Sequence, residues 1–221
     1  MTGDEGVRAG ARAARRLAEL GVCELAPGLA DAEFDRIEAE YGIVFADDHR
    51  AFLAAALPVG RAEPPDEDAS PRNPWTDWRD GDPDLIRERL EWPVDGLLFS
   101  VEHGWWLPGG RWGPRPADPA EAVAAARAAL VSAPRLIPLH SHRYLPSRGP
   151  GGAAGALPGV AAHGSPVLSV VGGDTIHYGR NLEEWVELEF VEEDVDGAGA
   201  AERWQEPAAG DRVPFWSDLV V

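Results

Sequence analysis

The sequence predicts an α+β fold, an antiparallel or mixed sheet flanked by helices, and three observations carry that reading. Apolar residues recur at helical spacing early in the chain, they gather into short extended runs after Gly96, and no regular strand–helix–strand alternation links those runs. With 221 residues, 44% apolar content and nine tryptophans, the chain has material for one substantial core. The expected organisation is an Arg/Ala-rich helical extension over residues 1–28, an α+β domain over 29–190, and an acidic tail over 191–221 anchored by Trp204 and Trp216.

In the opening segment, Val7, Ala11, Ala14 and Leu17 share one helix face, with Arg8, Arg12, Arg15 and Arg16 elsewhere, on a solvated face or as a handle for an acidic surface. Asp31 caps a helix in which Phe34, Ile37 and Tyr41 repeat and which Gly42 stops. Asp47 or Asp48 opens the next, carrying Phe52, Leu53 and Leu57 as far as Pro58. Residues 58–74, with Pro64-Pro65 and four acids, read as a loop. Pro83 follows Asp82 in the first turn of a short helix that buries Leu85, Ile86 and Leu90. Leu97 to Val101 and Trp105 to Leu107 then read as a hairpin across Glu102-His103-Gly104.

Asp118-Pro119-Ala120-Glu121 combines a cap, a first-turn proline and a capping-box acid, so a helix runs to about Leu130. Leu136 to Leu139 resumes extended structure, and the Gly/Ala/Pro-rich stretch from Ser147 to Gly164 reads as a flexible loop. Pro166 to Val171 and Thr175 to Tyr178 are expected to be strands joined by the turn at Gly172-Gly173-Asp174. A second capping box, Asn181-Leu182-Glu183-Glu184, opens a helix to Phe190.

Charge narrows the function. All 20 basic residues are arginine, against 38 acidic ones, for a formal net charge of −18. Such a field repels nucleic acid and anionic membranes and steers cationic partners inward. No apolar run approaches the roughly 20 residues that span a bilayer. Cys23, the only cysteine, admits neither an intramolecular disulfide nor a multi-thiolate metal site and suits a reducing cytoplasm. The expected partner is therefore another protein with a basic surface, met in the cytoplasm.

Several phrases, taken in order, resemble the SUKH superfamily, in the branch of the yeast cell-wall-assembly regulator. They are Gly42-Ile43-Val44-Phe45 running into Arg50-Ala51-Phe52-Leu53, similar to that family's early helix pair, and Trp92-Pro93-Val94-Asp95-Gly96-Leu97-Leu98-Phe99, continuing through Trp105-Trp106 to Trp112-Gly113-Pro114-Arg115-Pro116. Further matches are Leu136-Ile137-Pro138-Leu139 with His142-Arg143-Tyr144-Leu145-Pro146, then Ser165-Pro166-Val167-Leu168-Ser169-Val170, and Asp174-Thr175-Ile176-His177-Tyr178-Gly179 with Leu182 and Glu189-Phe190. Ser165 departs from the family's Asn, and the loop before it is longer. The resemblance implies a sheet-and-helix scaffold used for protein interaction, with many bacterial relatives acting as immunity proteins that neutralise toxins. A shared fold serves unrelated partners, so function transfers loosely.

The residues closest to an active site are His140, His142, Arg143, Asp174 and His177, with Glu102-His103 from a neighbouring segment. Two histidines at i, i+2 on a strand share a face, and a carboxylate would complete a metal site, but that spacing is not a zinc signature. Ser141 and Ser169 lack a nucleophile elbow, and no lysine follows a phosphate-cradling glycine loop. No catalytic residue, metal or cofactor is expected. His142, Arg143, Tyr144, Asp174 and His177 are instead candidates to line a pocket, which would suit a ligand-responsive regulatory domain or a small hydrolase using His142, Asp174 and His177.

Tryptophans divide into two expectations. Trp92, Trp105, Trp106 and Trp112 are first of all core material, although adjacent Trp105 and Trp106 on a strand must face opposite ways. Trp75 and Trp78, beside the Pro-rich loop, and Trp105 are candidate protein-binding anchors. Glu192, Glu193 and Asp194 are candidate interface carboxylates. They belong to a run with Glu183, Glu184, Glu187, Glu189 and Asp196 that carries eight acids and no base.

Overall fold

The structure, a computed structural model, describes residues 2–61, 73–107, 112–149, 159–191 and 212–220. Among the described residues, six α-helices and two antiparallel sheets of two and four strands form an α+β fold, with the larger sheet flanked by helices. Strands β3 (Leu136–His140), β4 (Arg143–Pro146), β5 (Val167–Val171) and β6 (Asp174–Gly179) make that sheet in chain order.

Side-chain alternation buries both of its faces. Ile137, Leu139, Leu145 and Val167 point into the larger core, while Leu136, Tyr144, Leu168 and Val170 point into a second one. The larger core is closed by α1 (Thr2–Leu20), α2 (Asp31–Tyr41), α3 (Asp47–Ala55) and α6 (Leu182–Phe190). The second is closed by α4 (Pro83–Glu102), by Leu107 and by the chain end, where Val213, Trp216 and Leu219 are buried. The indole N–H of Trp216 donates to the Pro134 carbonyl at 2.8 Å. Between α4 and α5 (Pro119–Leu130), Leu98, Val101, Ala122 and Ala126 form a small third cluster.

Local signals explain most of these elements. Asp82, Asp118 and Asn181 accept N–H groups of the first turn of α4, α5 and α6, which satisfies donors that have no partner within the helix. At α2 the cap is Ala30 rather than Asp31: the Glu33 carboxylate accepts the Ala30 N–H at 2.8 Å, and Gly42 ends the helix in the left-handed conformation at φ 64°.

The first correction lies at α4. The expected short helix and the hairpin after it are one helix of 20 residues, unbroken through Pro93. Ile86, Leu90, Pro93, Leu97 and Val101 are buried at spacings of three and four, a helical stripe that continues across the apparent Trp92-Pro93 and Asp95-Gly96 breaks. Trp105 to Leu107 is irregular, so Trp105 and Trp106 are not neighbours on a strand. Both instead meet the half-buried Trp112 edge to face, with ring centroids at 5.9 and 5.1 Å.

The second correction is a pair of short strands, β1 (Cys23–Pro27) and β2 (Ala56–Arg61), where a helix reaching Leu57 and then a loop were expected. Pro58 is tolerated because a two-stranded ribbon consists only of edges. Residues 62–72 of the expected loop, residues 150–158 of the Ser147–Gly164 stretch, and Trp204 lie outside the described residues.

The N-terminal helix is part of the main core. Ala13, Ala14 and Leu17 are buried there, and α1 lies across α3 and α6. Arg12 and Arg16 each fork onto a carboxylate of α6, Glu183 and Glu187, with N–O distances from 2.7 to 3.1 Å. Both arginines therefore clasp a neighbouring helix.

Candidate functional site

The expected pocket residues come from the β3–β4 turn with strand β4 and from strand β6, and the sheet separates them. Ser141 adopts a left-handed φ of 49° between the two histidines, so the turn breaks the shared face that an i, i+2 strand spacing implies. His140 points toward α6, whereas His142 sits half-buried with Nδ1 3.1 Å from Ser141 Oγ. Burial, then the Arg143 charge, lowers the His142 pKa. On β6 the side chains of Thr175 and His177 are buried, while Asp174 and Ile176 point outward, so Asp174 and His177 occupy opposite faces. His177 Nε2 lies 2.8 Å from Ser217 Oγ in the chain-end segment. Tyr144 belongs to the second core, where burial pushes its hydroxyl pKa up.

His142, Arg143, Tyr144, Asp174 and His177 thus form no common pocket, and the acid–base pairing of Asp174 with His177 is corrected by the two-residue repeat of the strand. Among the described residues no group of three or more His, Cys, Asp or Glu side chains is placed to hold a metal ion. Cys23 is a buried thiol pushed up to about 11 by desolvation.

What the sheet does assemble is a polar clamp around Glu189 at the end of α6. Its carboxylate lies 3.0 Å from His140 Nδ1 and accepts Arg143 Nε–H at 2.9 Å. Arg143 also donates to Ser169 Oγ at 2.9 Å, and its guanidinium lies 3.7 Å from the centroid of the Tyr178 ring. Burial alone would push the Glu189 pKa up, but the His140 hydrogen bond and the Arg143 charge outweigh it and hold the group at about 2. With the Glu189 side chain only 12% exposed, the clamp joins α6 to the sheet and presents little of itself to solvent.

The aromatic expectations reverse. Trp75 and Trp78 are 4% and 2% exposed, so neither is a surface anchor. Trp75 pairs with β3 through an isolated bridge to His140 and packs on Phe190, while Trp78 meets Tyr41 and Phe45 edge to face. Arg89 and Arg79 hold this segment in place through carbonyls on either side: Arg89 bonds to Asn73 and Pro74, and Arg79 bonds to Pro27 and Gly28. Among the described residues, the aromatics left outside are Trp92, 47% exposed, and Phe99, 62% exposed, both on α4. Trp92 was expected in the core. Its seven-residue spacing from Phe99 marks a helix face, a signal that the hairpin reading hid. Trp105 is half-buried against Gly173, where an added Cβ would come within 2.6 Å of the indole, so the close approach requires glycine.

Acidic residues divide likewise. Glu183 and Glu187 are paired with α1, Glu184 with Arg180, and Glu189 with the clamp, so the α6 half of the acidic run is neutralised within the fold. Glu192, Glu193 and Asp194 lie outside the described residues. Sequence reasoning offered Asp48 only as a helix opener and did not single out His49; both are buried at the start of α3. Asp48 accepts the Gly164 N–H at 2.7 Å and its pKa is raised by burial, while His49, sealed and packed edge to face on Phe45, is depressed to about 3. No helix among the described residues is long and apolar enough to cross a membrane. No protein-family model, curated protein or solved structure matches the chain.

Proposed function

We propose that this chain is a cytoplasmic protein-interaction domain of the immunity type, which binds a toxin that presents a basic surface and thereby neutralises it. One observation carries the reading: the arginines are largely engaged within the fold while carboxylates are left over. Arg12, Arg16, Arg50, Arg79, Arg87, Arg143, Arg148 and Arg180 all face carboxylates of the chain, yet the formal charge stays at −18. A surface with that balance draws in cationic partners and disfavours polyanions. The phrases similar to SUKH proteins add the immunity role to this electrostatic argument.

The test is purification of the chain at native expression level from its source organism, identification of any stoichiometric partner, and expression of that partner alone in a naive host. The expected result is a basic protein that arrests growth by itself and not when co-expressed with this chain. A partner without toxicity removes the immunity role and keeps the interaction. Repeated recovery of the chain alone rejects both.

A further inference from the structure

The outer face of α4 combines features that the interaction reading needs and does not locate. Trp92 and Phe99 stand two helical turns apart, about 10 Å along the axis, on the same side of the helix. Both are more exposed than large aromatics usually are, and the His103 ring packs against Phe99 at 4.1 Å, holding it outward. Glu91, Asp95 and Glu102 are exposed beside them and form no ion pair among the described residues. Next to this stripe a groove of about 400 Å³ opens between α4 and α5, lined by Leu98, Ala120 and Val123 together with Asp95, Glu102 and Arg127.

We infer that this face is the docking surface for the basic partner, and that it receives a segment presenting arginine or lysine beside aliphatic side chains. The inference rests on the interaction reading above and adds the place and the chemistry. A guanidinium over the Trp92 or Phe99 ring is attracted by the ring's negative face, while Asp95, between the two rings, accepts its N–H groups. An aliphatic neighbour enters the groove, and Arg127 on α5 favours a partner whose positive charges lie toward α4. Charge also excludes the nearer occupants. A second copy would set Glu91, Asp95 and Glu102 against themselves, and the segment 192–211 of this chain carries seven acids and one arginine.

The test titrates the full chain at low salt with an arginine/leucine amphipathic helical peptide and with its glutamate/leucine counterpart, and reads hydrogen exchange along the chain. The arginine peptide is expected to bind and to slow exchange over residues 91–103. A Trp92→Ala/Phe99→Ala variant and an Asp95→Asn/Glu102→Gln variant should each weaken it by about tenfold or more. Because all four residues are exposed, both variants should keep the wild-type urea midpoint. Absence of binding, protection elsewhere, unchanged affinity in both variants, or equal binding of the glutamate peptide would each overturn the inference. So would a concentration-dependent dimer abolished by Phe99→Ala, which would make the occupant a second copy. A native partner that still co-purifies with both variants sinks this face and leaves the interaction reading standing.

Discussion

His49 shows how one side chain sets the response to acid. Sealed, with no hydrogen-bond partner among the described residues for either ring nitrogen, it is held neutral, its pKa depressed from about 6.5 to about 3 by burial. An unfolded chain binds that proton near pH 6.5, so between those two values the unfolded state holds one proton more, and stability falls as pH falls. Asp48 acts oppositely: its pKa is raised, so its contribution is present at low pH and lost as pH rises. The share of His49 is read as the difference between the wild type and a variant lacking it, since Asp48 and His142, whose pKa values are also shifted, contribute equally in both proteins. Urea unfolding should show the wild type losing about 2 kcal/mol more between pH 7 and pH 5 than a His49→Phe variant that keeps the ring contact with Phe45. Parallel pH profiles for the two proteins would place the acid sensitivity elsewhere.

Among the elements, the close crossing of α1 over α3 turns on Gly10. A Cβ there would collide with the Asp48 carbonyl and meet the Phe52 amide nitrogen at 2.9 Å. Helix propensity favours Gly→Ala by about 1 kcal/mol, whereas forcing two packed helices apart costs roughly 1–3 kcal/mol and loosens Ala13, Ala14 and Leu17. Gly10→Ala should therefore lower the urea midpoint, and a raised midpoint would refute the close crossing. Such contacts also mark where sequence reading stops. Helices α2, α5 and α6 and strands β3, β5 and β6 were legible because their caps, turns and apolar periods lie within the element itself. Strands β1 and β2 were not, since each is stabilised by a partner some thirty residues distant and Pro58 argues locally against a strand. In α4 the proline and glycine outweighed a correct helical stripe, and that error hid the exposed aromatics on its outer face. The Glu189 clamp joins two turn residues to a helix end, so it was visible only as separate polar residues.

At the scale of the whole molecule, net charge and local pairing give different answers about which acids guide a partner. A charge of −18 attracts any cationic protein over roughly a Debye length, about 10 Å at 0.1 M salt, but a carboxylate already forked by an arginine adds little to that field. Glu183 and Glu187 are such groups, bound to Arg12 and Arg16, whereas Glu91, Asp95 and Glu102 are not. With a native partner in hand, stopped-flow association across a salt series should separate the two sets. Wild-type rates should fall by about tenfold or more from low to high salt, as steered encounters do. Neutralising Glu91, Asp95 and Glu102 should lower the low-salt rate and flatten the slope, because those charges act before contact. Replacing Glu183 and Glu187 by glutamine removes two negative charges and leaves Arg12 and Arg16 unpaired on the α1–α6 side, so it should lower the rate too, but by less per charge than the α4 set because the partner approaches α4. Equal losses from both sets would mean that steering depends on total charge alone, and a larger loss from the α6 pair would move the approach path to the α1–α6 side.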